Sequence, residues 1–354
     1  MNRTLGLLVA ATLFLFGACD SSHPPASTGA TGGASGSGGS NGSGGANGGG
    51  GADGGSTNDA GTNMPATGGA AGTDASPTGS DGPASSGGGT PLETVAVPPT
   101  GDAVMSKTSL TMGNLYLLRA SGAVAVGAMG EDAKFTDFGA DGAGASATGG
   151  GVQVTGLAPP DAKFPPATGA NAWFGDFRSD HVYYMIVTGN GAALSFKLAK
   201  AGTGDPIAIA LYLLTSPTST IGAPLEAIMV PMAAPTPVMS KTMTQKGAIY
   251  VLEGAGTGVV GGGKKGDAEY DDFSPTGTGA LEGEGGVDFG IGVDEPVLKA
   301  NNPRLRKWGP IRNDHIYFML FAGTGNTVSF TYYDSAYGDN GKTDMLTATI
   351  FAAP

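Results

Sequence analysis

Arg178-Ser179-Asp180-His181-Val182-Tyr183 and Arg312-Asn313-Asp314-His315-Ile316-Tyr317 are nearly the same phrase written twice, 134 residues apart. Outward from it the likeness continues at that spacing or one residue more. Val104-Met105-Ser106-Lys107-Thr108 returns as Val238-Met239-Ser240-Lys241-Thr242, and Asn114-Leu115-Tyr116-Leu117-Leu118 as Ala248-Ile249-Tyr250-Val251-Leu252. Asp132-Ala133-Lys134-Phe135-Thr136-Asp137-Phe138 matches Asp267-Ala268-Glu269-Tyr270-Asp271-Asp272-Phe273, and the only two tryptophans, Trp173 and Trp308, stand 135 apart. Self-similarity held over most of a domain length marks an internal duplication. It places two repeats at 92–233 and 234–354, each of ordinary domain size.

Each repeat reads as β. Residues 115–119 and 249–253 are short, mostly apolar runs, and 181–187 and 315–321 are continuous runs of Tyr, Ile, Val, Phe and Met bounded by Gly, the pattern of buried strands. Residues 193–198 and 327–332 follow Gly-containing turns, so each is expected to form a hairpin with the run before it. Residues 207–214 and 346–351 are expected as closing strands. No segment combines a helical period with capping signals. The predicted fold is therefore all-β: two tandem antiparallel β-sandwiches, jelly-roll or galactose-binding-like.

The 65 glycines crowd toward the N-terminus, so the folded part is smaller than 354 residues suggest. Apart from His23 and Met64, residues 20–90 are Gly, Ser, Ala, Thr, Asn and Pro with five Asp and no Lys or Arg. Such a composition buries too little to offset its ordering entropy, so 19–91 is expected as a disordered tether. Its r.m.s. reach is about 45–50 Å. The chain as a whole is acidic, with a net charge of −12 and only 14% charged residues, which argues against a nucleic-acid partner. One cysteine excludes a disulfide framework, and three histidines exclude most zinc constellations.

At the start, Arg3 precedes an apolar run, residues 5–16, too short to span a bilayer. It ends in Phe16-Gly17-Ala18-Cys19, which resembles the lipobox of bacterial lipoproteins, with Phe where that family prefers Leu. The resemblance implies that 1–18 is a signal peptide and that Cys19 becomes the lipidated first residue, carrying a diacylglyceryl thioether and an acylated amine such as a palmitoyl amide. With more than one chain buried, at about 0.8 kcal/mol per CH₂, anchoring is stable. The expected location is the bacterial cell envelope, at the outer membrane or cell surface.

Near the C-terminus stands Tyr333-Asp334-Ser335-Ala336-Tyr337-Gly338-Asp339-Asn340-Gly341-Lys342-Thr343-Asp344. Its carboxylates and Asn are the oxygen donors Ca²⁺ takes, and they equally suit an Asx-rich turn stabilised by its own backbone. The stretch resembles the calcium-dependent galactose-binding lectins of bacteria. In those small β-sandwiches a strand ending in Tyr-x-Asp leads to Tyr-Gly-Asn-Asn; here Tyr332-Tyr333-Asp334 and Tyr337-Gly338-Asp339-Asn340 take those places, with a shorter loop between. The resemblance implies Ca²⁺ held by the side chains of Asp334, Asp339 and Asn340 and the carbonyl of Ala336, with sugar hydroxyls completing its shell. Asp344 is a further ligand or a turn residue. The family's sugar-contacting His and Gln would fall within 266–273, where neither occurs. In the first repeat Lys200 stands for Asp334 and Pro206 for Asn340, so calcium is expected only in the second.

Other candidates carry less. The pairs Asp180/His181 and Asp314/His315 are either a base with its orienter or histidines tied down at a strand end. Trp308 is either a sugar-stacking platform or core. Arg306 and Arg312, with Lys299, Arg304 and Lys307, form a basic cluster that suits anionic contacts or simple solvation. Gly256-Thr257-Gly258-Val259-Val260-Gly261 and Gly341-Lys342-Thr343 echo nucleotide-binding loops, but neither is followed by the required helix, so no nucleotide is expected. With no nucleophile–base arrangement, the expected role is non-catalytic recognition, through Ca²⁺-dependent carbohydrate binding by the second repeat. The alternative is a structural envelope or matrix protein whose repeats make metal-free protein contacts.

Overall fold

The computed structural model describes residues 88–157, 173–215, 219–274, 279–281, 283–284, 287–293 and 308–354, all inside one compact unit, Asp74–Pro354. The expected signal peptide, Cys19 and nearly all of the expected tether lie outside the described residues. The chain is all-β. Its first half holds β1 (Glu93–Val97), β2 (Val104–Ser109), β3 (Leu115–Ser121), β4 (Ala123–Val126), β5 (Met129–Asp132), β6 (Thr136–Phe138), β7 (Val152–Thr155), β8 (Val182–Thr188), β9 (Ala193–Leu198) and β10 (Ile207–Leu213). Its second half holds β11 (Glu226–Pro231), β12 (Val238–Met243), β13 (Ile249–Ala255), β14 (Gly258–Val259), β15 (Lys265–Gly266), β16 (Gly283–Glu284), β17 (Val287–Asp288), β18 (Gly290–Val293), β19 (Ile316–Ala322), β20 (Thr327–Tyr333) and β21 (Met345–Ala352).

The sheets repeat. A four-stranded sheet β1-β10-β3-β8 and a three-stranded sheet β2-β9-β7 in the first half correspond to β11-β21-β13-β19 and β12-β20-β18 in the second. Val97, Leu118 and Ile209 of the larger sheet share a core with Val152, Phe196 and Leu198 of the smaller one. Val230, Leu252 and Ile350 meet Ile291, Phe330 and Tyr332 in the same way. A third cluster joins the outer faces of the two larger sheets: Leu115, Leu117 and Tyr184 against Ile249, Val251 and Phe318. The larger sheets are thus covered on both faces, which is why β3, β8, β13 and β19 read as unbroken apolar runs. By contrast β2 and β12, covered on one face, alternate buried and exposed residues.

Charge-assisted hydrogen bonds lock the halves together reciprocally. Arg178 donates to the Gly247 carbonyl (2.6 Å), and its counterpart Arg312 donates to the Gly113 carbonyl (2.9 Å). Because each Arg meets the equivalent carbonyl of the other half, the contact is self-complementary, as in a two-fold dimer.

The repeated Val-Met-Ser-Lys-Thr phrase turns out to be a bulge clip. The register of β2 on β9 shifts between Met105 and Ser109, and that of β12 on β20 between Met239 and Met243. Ser106 Oγ accepts from Leu194 N–H (2.9 Å) and donates to the Thr108 carbonyl (2.8 Å), while Glu93 accepts from the Lys107 and Thr108 amides (2.8 and 2.7 Å). Ser240 and Glu226 do the same in the second half. The freed amides of a bulge need acceptors, and Ser and Glu supply them.

Two expectations are corrected. The runs 181–187 and 193–198 do not form a hairpin, nor do 315–321 and 327–332: β8 pairs with β3 while β9 pairs with β2 and β7, and β19 and β20 part likewise. At the crossing, Gly189 N–H donates to the Asn114 carbonyl (2.8 Å) and Gly191 N–H to that of Leu110 (2.9 Å), so the turn is spent on other segments. Gly189 also packs so closely on the Thr111 carbonyl that no Cβ would fit. The second framework also begins before residue 234, because β11 pairs along its length with β21.

Candidate functional site

The 334–344 loop leaves β20 and returns through β21, pinned from several sides. The Tyr337 phenol donates to the Tyr332 carbonyl (3.0 Å) and accepts from Asp334 N–H (3.1 Å). Asp334 Oδ1 accepts from Ala336 N–H (3.2 Å), an Asx turn, and a 3₁₀ turn follows at Tyr337–Asp339. Asn340 Nδ2 donates to the Met232 carbonyl (2.7 Å). Asp344 Oδ2 accepts from Val259 N–H (2.7 Å), so Asp344 acts as a clamp between the loop and β14.

Of the four groups expected around calcium, two face inward and two outward. Asp334 and Asn340 are buried, and Asp334 Oδ2 and Asn340 Oδ1 have no hydrogen-bond partner. Ala336 and Asp339 are exposed, and the Asp339 carboxylate lies where a side chain on Gly261 would collide with it. A buried oxygen left unpaired costs about 1–3 kcal/mol, so two in one loop call for an explanation. Among the described residues no three His, Cys, Asp or Glu side chains gather as metal ligands. Asp334 Oδ2 and Asn340 Oδ1 are nonetheless hard, unengaged donors of the kind Ca²⁺ takes.

Behind the loop lies a group that the sequence reading passed over. Asp271 is only 2% exposed, and its carboxyl is pushed up to about 8 by burial first and by the charge of Asp334 second. Tyr332 is fully buried, its hydroxyl beside Asp271 but without a hydrogen bond of good geometry, and is raised far above the usual phenol range by burial and then by Asp271 and Asp334. Gly266 makes room for both: a Cβ there would strike Tyr332 Oη and stand 2.9 Å from Asp271 Oδ1. The signal was present in the matched segments, where Asp271 replaces Thr136 just as Asp334 replaces Lys200.

In the first half the same place is built differently. Glu131 occupies the position of Gly266, and its Oε1 accepts from Gly151 N–H (2.9 Å) and Lys200 N–H (3.3 Å). Burial raises its carboxyl. Leu198 stands for Tyr332, and the Lys200 ammonium reaches out to Asp137 (2.8 Å).

The histidines have other partners than expected. Asp180 and Asp314 form bidentate pairs with Arg178 and Arg312 (2.7–2.9 Å). His181 Nδ1 instead meets Asp132 Oδ2 (2.9 Å) and His315 Nδ1 meets Asp267 Oδ2 (2.7 Å). Tyr183 and Tyr317 donate to the same oxygens (3.0 and 2.8 Å). The other oxygen of each Asp accepts the amides of residues 134–135 and 269–270. Both histidines have positive φ, 50° and 51°, a conformation that these bonds hold in place, and both stack on a Phe, Phe138 and Phe273. The unit ties strand ends together in each half.

Trp308 is 4% exposed and donates its indole N–H to the Ile291 carbonyl (2.7 Å), so its ring is core and offers no face to a sugar. Arg312 is committed to Asp314 and Gly113, which leaves it no fork for an anion. Arg306 lies outside the described residues, as do Lys299, Arg304 and Lys307.

No protein-family model, no curated protein and no solved structure matches the chain.

Proposed function

We propose that the chain is a membrane-tethered, non-catalytic recognition protein, whose halves are tandem antiparallel β-sandwiches and whose second half binds carbohydrate through Ca²⁺. The observation that carries this reading is the 334–344 loop, pinned at both ends yet leaving Asp334 Oδ2 and Asn340 Oδ1 buried and unpartnered. The likeness of Tyr332-Tyr333-Asp334 and Tyr337-Gly338-Asp339-Asn340 to the galactose-binding lectins supports it. In this reading Asp334 and Asn340 hold the ion, and the exposed Asp339 and Ala336 carbonyl form the rim where sugar hydroxyls join its shell. Lipidation of Cys19 and the 19–91 tether place the protein at the cell envelope, on the outer membrane or cell surface. Labelling with radioactive palmitate, lost in Cys19→Ser, checks the anchor.

Binding is tested on a glycan array with calcium chloride and with EDTA, for the wild type and for the Asp334→Ala/Asp339→Ala double variant. A signal indifferent to both chelator and mutation would sink the metal-bridged mechanism. A second reading, metal-free packing against other envelope proteins, has its own support. Met105 and Met239, at equivalent positions of β2 and β12, are 62% and 53% exposed, an apolar surface that both halves keep. Chelator-insensitive retention on isolated envelopes would favour that reading.

A further inference from the structure

Among the described residues of the second half, Tyr332 Oη, Asp334 Oδ2 and Asn340 Oδ1 are buried oxygens with no partner of good hydrogen-bond geometry, and Asp271 lies beside both Tyr332 and Asp334. Only two of them belong to the loop. Tyr332 reaches the same small space as Asp271, the space that opens because residue 266 has no side chain. Two carboxylates, Asp271 and Asp334, are buried close enough for the charge of one to act on the other. Proteins rarely bury such a pair without something positive between them.

We infer that Asp271 and Tyr332, which lie outside the loop, complete with Asp334 and Asn340 an inward-facing oxygen pocket for a divalent cation, calcium by the chemistry of its donors. The inference rests on the calcium part of the function proposed above, moves the ion toward the core, and is independent of the carbohydrate part. Two carboxylates match a divalent charge. The remaining donors are an amide and a phenol oxygen, with neither sulfur nor imidazole, a set suited to Ca²⁺ rather than zinc or copper. The first half is the comparison: Thr136, Leu198 and Lys200 replace Asp271, Tyr332 and Asp334, Glu131 stands in place of Gly266, and the oxygens left without partners there, Glu131 Oε2 and Thr136 Oγ1, come with one carboxylate and the Lys200 amide rather than with two carboxylates. The changes to Asp271, Tyr332 and Asp334 bring oxygen donors toward the place where residue 266 has no side chain. The competing arrangement is a proton shared between Asp271 and Asp334, and it makes the opposite prediction for calcium.

The test uses full-length protein stripped with EDTA, titrated with calcium chloride by calorimetry and melted with and without the metal. The wild type should bind calcium and gain a few degrees in Tm. Asp271→Asn should lose about tenfold or more in affinity, while its metal-free form melts no lower than the wild type because the amide, like the protonated carboxyl it replaces, brings no second negative charge beside Asp334. Tyr332→Phe, nearly isosteric, should weaken binding to a smaller degree and carries the test should Asp271→Asn fail to fold. Asp339→Ala should keep most of the affinity. Wild-type affinity in Asp271→Asn and Tyr332→Phe, with binding lost in Asp334→Ala, would overturn the inference and leave the loop site standing. No heat and no Tm change for the wild type at millimolar calcium would remove the metal altogether and leave the shared proton.

Discussion

The two halves share a pair of matching sheets and differ at the end of the smaller one. There the first half carries one carboxylate, Glu131, met by two amide donors, with Lys200 alongside. The second half empties that position with Gly266 and brings in Asp271 and Asp334 with no amide donor to Asp334 Oδ2. What stays constant between them, the bulge clips, the Asp–His–Tyr units and the reciprocal arginines, is what the fold needs. What changes is where a specialised role would have been added to one copy.

The comparison can be broken first through the shared units. Asp132→Ala and Asp267→Ala each strand a tyrosine hydroxyl, a histidine and two amides, and each should cost about 3–5 kcal/mol in urea unfolding. A cost confined to one half would mean that the two units are not equivalent.

The next effect belongs to the second half alone. Asp271 is raised to about 8, so the native state keeps a proton that the unfolded chain releases. Its stabilising contribution is complete below the ordinary Asp value and is lost as pH rises through about 8. Metal-free protein should therefore lose on the order of a few kcal/mol between about pH 5 and pH 9. Asp271→Asn should remove most of that slope, and Thr136→Ala should not change it. Equal slopes in wild type and Asp271→Asn would exclude Asp271 as the titrating group.

Smaller effects sharpen the symmetry. Arg178→Ala and Arg312→Ala should each cost about 1–2 kcal/mol in thermal melts, through one inter-half hydrogen bond apiece. Glu93→Gln and Glu226→Gln should cost a few tenths of a kcal/mol, since both carboxylates are solvent-screened. Burial acts to raise these two groups, but the bulge amides outweigh it and hold them below the usual glutamate range. Their contribution is therefore present above the unfolded glutamate value and fades as pH falls through the lowered one.

Much of the strand content was legible from residue pattern. Runs such as 115–119 and 207–214 appear as β3 and β10 nearly to the residue, because burial on both faces writes itself as continuous apolar sequence. The partners of those strands were not legible. Gly189-x-Gly191 looks like a hairpin turn, and only the close approach to Leu110, Thr111 and Asn114 shows that it is a crossing between sheets. Likewise Asp180 sits beside His181 in the chain, whereas the carboxylate that binds the ring comes from Asp132, 49 residues earlier. At the candidate site the loop donors could be named from the resemblance to the calcium-dependent lectins. Asp271 could not, since its meaning depends on Gly266 and Tyr332 sharing its space, a fact of packing rather than of pattern.

The sheet order also governs when the molecule can be finished. β10 lies between β1 and β3, and β21 between β11 and β13, so the last strand of each half is one of the two inner strands of its larger sheet. Until that strand is synthesised, β1 and β11 have no ladder to join and the outer faces of the larger sheets cannot form. Such late, long-range closure gives a high contact order and slow folding. A chain built this way therefore closes each half only after its final strand has been made, however early β3 and β8, or β13 and β19, have paired.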